Sequence, residues 1–271
     1  MRAESRECCV PSDMGERTKC CAWFSKSAKD LESKEPLVVK EPSKTEREVA
    51  QRCFQEGSAM HSRDQLEDAV RCYREAAKQD ETRPEILYNL GNALQDLGRL
   101  DEAADTYTRV IRLQTDHHAA WYNLGYIREE QGEVDEALQC FTKASTLDPT
   151  DKDALVNIGN IHMQAGHVTE AVEMYHQVIK MDPQCVMGHY NLASACHALG
   201  KRDDAVRYFS DTVRLDPAYA DAHFNLGIVY QEQGEMKLAL EGYQKAAQLD
   251  PALHEAVEAA DRIETMMDRE G

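Results

Sequence analysis

The amino-acid sequence predicts an all-α protein, a stack of six 34-residue helix–turn–helix repeats closed by one C-terminal helix, and three recurrences carry that prediction. A small residue returns every 34 positions without insertion or deletion, at Gly57, Gly91, Gly125, Gly159, Ala193 and Gly227. Twelve residues further on stands an alanine each time, from Ala69 to Ala239. Four beyond that comes an aromatic ring, at Tyr73, Tyr107, Phe141, Tyr175, Phe209 and Tyr243. No such helix pair can bury its apolar stripe alone, so stability comes from stacking neighbours, and chains built this way usually bind other proteins.

The unit from His118 to Asp151 explains each part of the pattern. Trp121, Leu124 and Ile127 recur at helical spacing and predict a first helix. Gln131-Gly132 ends it, because glycine most easily takes the left-handed conformation past a helix terminus. A second helix runs from about Val134 to Leu147, with Ala137, Leu138, Phe141 and Ala144 on one face, and Asp148-Pro149 stops it. The small residue and the alanine lack bulk where the two helices must approach closely, and the aromatic fills the wedge between them. Units follow at about 50–83, 84–117, 118–151, 152–185, 186–219 and 220–253, within an array spanning 45–253. Pro149, Pro183, Pro217 and Pro251 close the later ones, whereas the first two end on Glu81 and Thr115. Unit one is the least regular, with Glu56 where leucine is expected before the glycine. Residues 254–271 read as an amphipathic helix with Ala256, Val257, Ala260, Ile263 and Met267 on one side, expected to cap the sixth unit. Residues 1–44 show no sustained helical period and are dominated by Ser, Lys, Glu and Pro from Ser25 onward, so a disordered tail is expected.

These motifs resemble the tetratricopeptide repeat. Its pattern of large apolar residue, Leu-Gly, aromatic, Ala, Phe/Tyr, Ala and Pro is met by Trp121, Leu124-Gly125, Ala137, Phe141, Ala144 and Pro149, with Arg128 at the first aromatic place. Unit six supplies Leu226-Gly227, Tyr230, Ala239, Tyr243, Ala246 and Pro251. The resemblance implies a right-handed superhelical solenoid that acts as a scaffold or adaptor, with ligands held on a concave face formed mainly by the first helix of each repeat.

Charge and composition narrow the partners. The tail to Lys44 holds nine basic and eight acidic residues, and the rest holds 22 basic and 41 acidic ones, so the array carries a net charge of -19. Phosphate contacts need Lys and Arg gathered on one face, which argues against direct nucleic-acid binding. No run of eighteen apolar residues is present and the N-terminal stretch has no signal-peptide core, so a cytoplasmic, reducing location is expected with no membrane span. Cys53, Cys72, Cys140, Cys185 and Cys196 fall inside the helical array and read as small buried hydrophobes or partly exposed thiols. The paired cysteines Cys8-Cys9 and Cys20-Cys21 sit awkwardly for zinc, whose cysteine ligands usually stand two to four residues apart. A second reading for them is reversible acylation, aided by Lys19, Trp23, Phe24, Lys26 and Lys29 at a membrane surface.

The positions that resemble groove-lining ones are legible. Two residues before the small residue stands Asn89, Asn123, Asn157, Asn191 and Asn225, a ladder of side chains each able to donate to and accept from a peptide amide. This resembles the asparagine ladder of family members that bind extended peptides; the competing reading is that each asparagine bonds a neighbouring helix. Beside it runs an aromatic row, Phe54, Tyr88, Tyr122, Tyr190 and Phe224, broken by Val156. Glu85, Asp96, Glu129, Glu130, Asp153, Asp221 and Glu232 form an acidic rim that favours a partner segment carrying Lys or Arg. The family's carboxylate clamp is argued against: Asn92 and Asn123 match its asparagines, but Tyr88, Asp153 and Asn157 occupy its three basic places.

No phosphate-binding glycine loop, His-Glu-x-x-His, Gly-x-Ser-x-Gly or kinase signature occurs, and no cofactor is implied. His189 and His223 share the repeat position of Trp121, which points to packing rather than metal binding. The expectation is a non-catalytic scaffold holding an extended or basic peptide, or a helix, of a protein partner. Two other readings stand beside it: the substrate-recognition arm of a glycosyltransferase-like complex, and a self-associating structural component. Oligomeric state is not legible here.

Overall fold

A computed structural model describes residues 40–270. Of the tail expected over residues 1–44, residues 1–39, with the cysteine pairs Cys8-Cys9 and Cys20-Cys21, lie outside the described residues, and at its end Ser43 and Lys44 belong to the start of the first helix. Among the described residues there are thirteen α-helices and no strand. They are α1 (Lys44–His61), α2 (Leu66–Gln79), α3 (Pro84–Asp96), α4 (Leu100–Leu113), α5 (His118–Glu130), α6 (Val134–Leu147) and α7 (Lys152–Gln164). After them come α8 (Val168–Met181), α9 (Val186–Ala198), α10 (Arg202–Leu215), α11 (Ala220–Glu232), α12 (Met236–Leu249) and α13 (His254–Glu270). The chain divides into two compact units, one through Cys140 and one from Phe141.

In the first unit, α1 to α5 each contact their sequence neighbours. The close approach that the repeat predicts is explicit within the α3–α4 pair. A Cβ placed on Gly91 would lie 2.6 Å from a Tyr107 ring carbon, a separation real side chains do not adopt. Tyr73, Tyr107, Leu87 and Leu94 are almost wholly buried around these contacts. The first helices end as expected: Gly98 and Gly132 have φ of 71° and 78°, and the next residue's N–H reaches back to Leu94 and Arg128 carbonyls at 2.8 Å. In the first repeat Asp64 occupies this position at φ 60°, a conformation its short polar side chain tolerates better than most.

Helix α1 begins at Lys44, next to the expected start of the array at residue 45, and Pro42 is already buried. A capping box sets this start: Ser43 Oγ accepts from Glu46 N–H at 3.3 Å, and Glu46 Oε2 accepts from Ser43 N–H at 2.6 Å. The missing prolines of the first two repeats do not prevent the turn. Asp80 accepts from the Thr82 amide at 3.1 Å, the same side-chain turn that Asp182, Asp216 and Asp250 make in the second unit.

The second unit repeats this logic from α7 to α13. Ala171, Tyr175, Leu192, Ala193, Ala205 and Phe209 form one buried cluster, in which Ala193 takes the place that glycine holds elsewhere. Helix α13 covers the end of α12 through Ala259, Ala260 and Ile263, which pack with Ala239 and Tyr243, while Met267 and Phe224 lie at the margin. Capping is therefore observed, with one adjustment: Val257 is 38% exposed and Ala259 is buried in its place. The buried stripe advances by three or four residues per turn, and Val257 lies one step to its side.

The ring beneath the small residue makes a sharp expectation. Gly91→Ala should lower stability by about 1–3 kcal/mol through overpacking, despite alanine's better helix propensity. Chemical denaturation followed by far-ultraviolet circular dichroism measures it; an unchanged or higher midpoint would mean that the Tyr107 ring yields.

Candidate functional site

Within each unit, the first helix of a repeat places its residues in columns that meet those of the next repeat. In the first unit, Asn123 Nδ2 donates to Asn92 Oδ1 at 3.2 Å and to the Tyr107 hydroxyl at 3.1 Å, with Tyr88 OH at 3.5 Å. The Tyr107 hydroxyl donates to Asn92 Oδ1 at 2.7 Å. The second unit repeats the arrangement, with Tyr175 donating to Asn160 at 2.7 Å and Asn191 donating to the same oxygen at 3.2 Å. Asn225 donates to the Tyr190 hydroxyl at 3.0 Å and to the Asp221 carbonyl, while Asn89 donates only to the Glu85 carbonyl at 2.8 Å. The bonds of these four asparagines run through Nδ2 to partners inside the protein. Asn157 shares their register and is half-buried.

The aromatic row is partly covered by its own neighbours. Tyr88 lies 5.9 Å from the Tyr107 ring and 4.8 Å from His117, which N-caps α5 by accepting from the Ala120 amide. Tyr190 lies 5.7 Å from Phe209 and 5.0 Å from Tyr219, and Phe224 lies 5.6 Å from Tyr243. Phe54, Tyr88, Tyr122, Tyr190 and Phe224 are all half-buried. Burial pushes the Tyr107 and Tyr175 hydroxyls well above the ordinary phenol range, so both remain donors.

Several acidic candidates already have arginine or histidine partners. Glu85 stands 3.5 Å from Arg83, and Asp96 accepts from His61 at 2.7 Å. Glu232 joins His197 at 3.0 Å and Arg202 at 2.9 Å, and these bonds hold its carboxyl below the usual range. Asp153 and Asp221 are exposed. Glu129 behaves differently: burial, then the charge of Glu130 beside it, raises its pKa.

The histidines at the Trp121 position serve the turn. Trp121 Nε1 donates to the Thr115 carbonyl at 2.9 Å, and His189 and His223 Nε2 stand 3.1 Å from the Pro183 and Pro217 carbonyls. A carbonyl only accepts, so Nε2 carries the proton in both. Among the described residues no group of three His, Cys, Asp or Glu is placed to hold a metal ion, and no helix is long and apolar enough to cross a membrane.

Sequence reasoning passed over Tyr126. It follows Gly125 in the column that holds Asn92 and Asn160, the acceptors for Tyr107 and Tyr175. The third repeat has Phe141 in the column of those hydroxyls, so no phenol there calls for an acceptor. Tyr126 is 41% exposed, and Glu130 beside it raises the pKa of its hydroxyl. The signal was present in the sequence: the column reads Ser58, Asn92, Tyr126, Asn160, Ser194 and Ile228, and Tyr126 is its one aromatic residue.

Helix pairs repeated at a fixed spacing, with a polar and aromatic first-helix face and no metal cluster among the described residues, define an all-α repeat scaffold for protein interaction. Tetratricopeptide repeat models match residues 88–152 and 197–254, 57–98, 129–196 and 186–207, a continuous span from residue 57 to 254. The chain belongs to the tetratricopeptide repeat family. Such proteins are in general non-catalytic scaffolds, and this chain is a protein-interaction scaffold of that broad kind. Solved structures share the fold. YrrB, described as a tetratricopeptide repeat protein with an unusual peptide-binding site, is 21% identical over 70% of this chain and 97% of its own, with a TM-score of 0.62. PilF of Pseudomonas aeruginosa is 18% identical over 79% of this chain and 98% of its own, with a TM-score of 0.65. MamA of Desulfovibrio magneticus RS-1 is 22% identical over 63% and 97%, with a TM-score of 0.59. No curated protein matches the chain.

The contrasting bonds of the asparagines predict unequal structural roles. Asn123→Ala removes a donor shared by two helices and should cost about 1–2 kcal/mol, whereas Asn89→Ala should cost less than about 0.5 kcal/mol. Equal midpoints in urea unfolding would contradict this difference. His117 has a pKa lowered by burial, so the unfolded chain takes up its proton first as pH falls below about 6.5. Its contribution to stability is therefore present above that value and lost as pH drops toward the folded pKa. His117→Asn, which keeps a capping side chain, should flatten that part of the pH–stability curve.

Proposed function

We propose that the first-helix faces hold an extended segment of a partner protein, and that in the first unit this segment carries lysine or arginine. The observation that carries this reading is the α5 surface, where the exposed Tyr126 ring stands with Glu129 and Glu130. Burial and a like charge both disfavour ionised Glu129, and an incoming cation relieves both while its stem lies on the phenol ring. Tyr88, Tyr122 and Glu85 extend the same chemistry along α3 and α5, and Phe224, Tyr190, Asp153 and Asp221 offer it in the second unit. The asparagine ladder enters this reading as acceptor. Asn89, Asn123, Asn191 and Asn225 direct Nδ2 inward, so gripping a peptide backbone falls to Oδ1, which accepts from a partner N–H. Asn157 belongs to the same column.

Fluorescence anisotropy with extended lysine-containing peptides and their glutamate-substituted counterparts tests the reading. The lysine peptides should bind and weaken as salt rises, and Tyr126→Ala with Glu129→Gln and Glu130→Gln should weaken them about tenfold, roughly 1.4 kcal/mol. Equal binding of both peptide sets, or no effect of the triple variant, would sink the charge selection.

A further inference from the structure

We propose that Cys53 and Cys72 form a peroxide-oxidisable dithiol that closes into a disulfide linking α1 to α2. The two thiols are half-exposed, free, and line one open cavity of about 670 Å³ together with Glu56, Glu67 and Arg71. Their repeat positions are facing ones. The same two columns hold His189 and Tyr208, whose rings lie 6.3 Å apart, and His223 and Gly242, where a Cβ on the glycine would stand 2.9 Å from the histidine carbonyl oxygen. The two columns thus face one another across the first and second helix of a repeat. In the third repeat they hold Trp121 and Cys140, both buried.

That third repeat shows why the first is different. Burial pushes the Cys140 thiol up to about 12, which leaves it inert at neutral pH. Cys72 occupies the same column, but Cys53 stands in the place of the Trp121 indole, and Glu56 replaces the leucine before the glycine. Small and polar residues leave the site open to solvent. Burial first, then the charge of Glu56, raises the Cys72 thiol and disfavours its thiolate, which leaves the resolving role to Cys72 and the first attack to Cys53. Its thiolate attacks one oxygen of hydrogen peroxide, giving a sulfenic acid and releasing water after proton uptake. Cys72 sulfur then attacks the sulfenic sulfur and expels a second water. Two thiols lose two electrons and two protons to the peroxide, and one S–S bond forms. The bond would staple the repeat whose sequence departs furthest from the pattern.

The full chain treated with hydrogen peroxide and digested without reduction provides the test, by mass spectrometry of the linked peptides. The expected product joins the Cys53 peptide to the Cys72 peptide, disappears on reduction, and is absent from both Cys53→Ser and Cys72→Ser. Blocking thiols with iodoacetamide first should abolish it while circular dichroism stays helical. Hydrogen exchange of α1 and α2 should slow in the oxidised wild type alone. Linkage of either cysteine to Cys8, Cys9, Cys20 or Cys21, separate oxidation of the two without linkage, or no reaction would each overturn the proposal.

Discussion

The contact between the small residue of a first helix and the aromatic ring of its second helix sets the rest of this structure. With no Cβ at Gly91 or Gly159, the backbone lies directly on the face of Tyr107 or Tyr175. That approach fixes how deeply the two helices of a repeat interlock, and hence where the far end of the ring emerges. In a close-packed interior such a constraint is not easily relaxed, because displaced atoms have no void to enter.

The phenol hydroxyl is the first consequence. A ring held that deeply delivers its hydroxyl to the residue after the glycine, and Asn92 and Asn160 accept it at 2.7 Å. The same oxygens also accept from Asn123 and Asn191 on the following first helix. A single packing event thereby becomes a polar link between successive repeats, in partly buried surroundings where unmet donors would be costly. The ladder asparagines belong to the skeleton as well as to the surface, and any role in gripping a partner has to use the atoms the skeleton leaves over.

Much of the fold was legible because periodicity, glycine and proline report directly on backbone conformation. The positive φ at Gly98 and Gly132, the turns at Asp182-Pro183 and Asp216-Pro217, and the closing helix all follow from residue type. What escaped was of another kind. The capping box Ser43 to Glu46 was visible, yet a count in units of 34 does not say which residue starts the first helix. Columns in a repeat say which residues are equivalent and not which columns touch, so the Tyr107–Asn92–Asn123 link needed coordinates. The acidic rim was read as uniform, whereas Asp96 and Glu232 are paired with histidines and Glu129 is set apart by burial.

Equivalence of position therefore does not mean equivalence of chemistry. Asp64 stands where later repeats carry glycine, and its turn closes through the same backbone bonds as at Gly98, with a short polar side chain carried in the left-handed conformation. Tyr126 stands in an asparagine column, and in a repeat whose second helix carries Phe141 there is no hydroxyl to receive. The change turns a structural acceptor into an exposed phenol beside two carboxylates. Cys72 and Cys140 occupy one column, but an indole covers the partner column of the second and a thiol that of the first. At Tyr126 and at Cys72 the residue and its facing neighbour both differ from their equivalents in other repeats. A repeat array can keep its backbone constant and vary function by such pairs, since the glycine–ring contact is local to each repeat and tolerates change beside it.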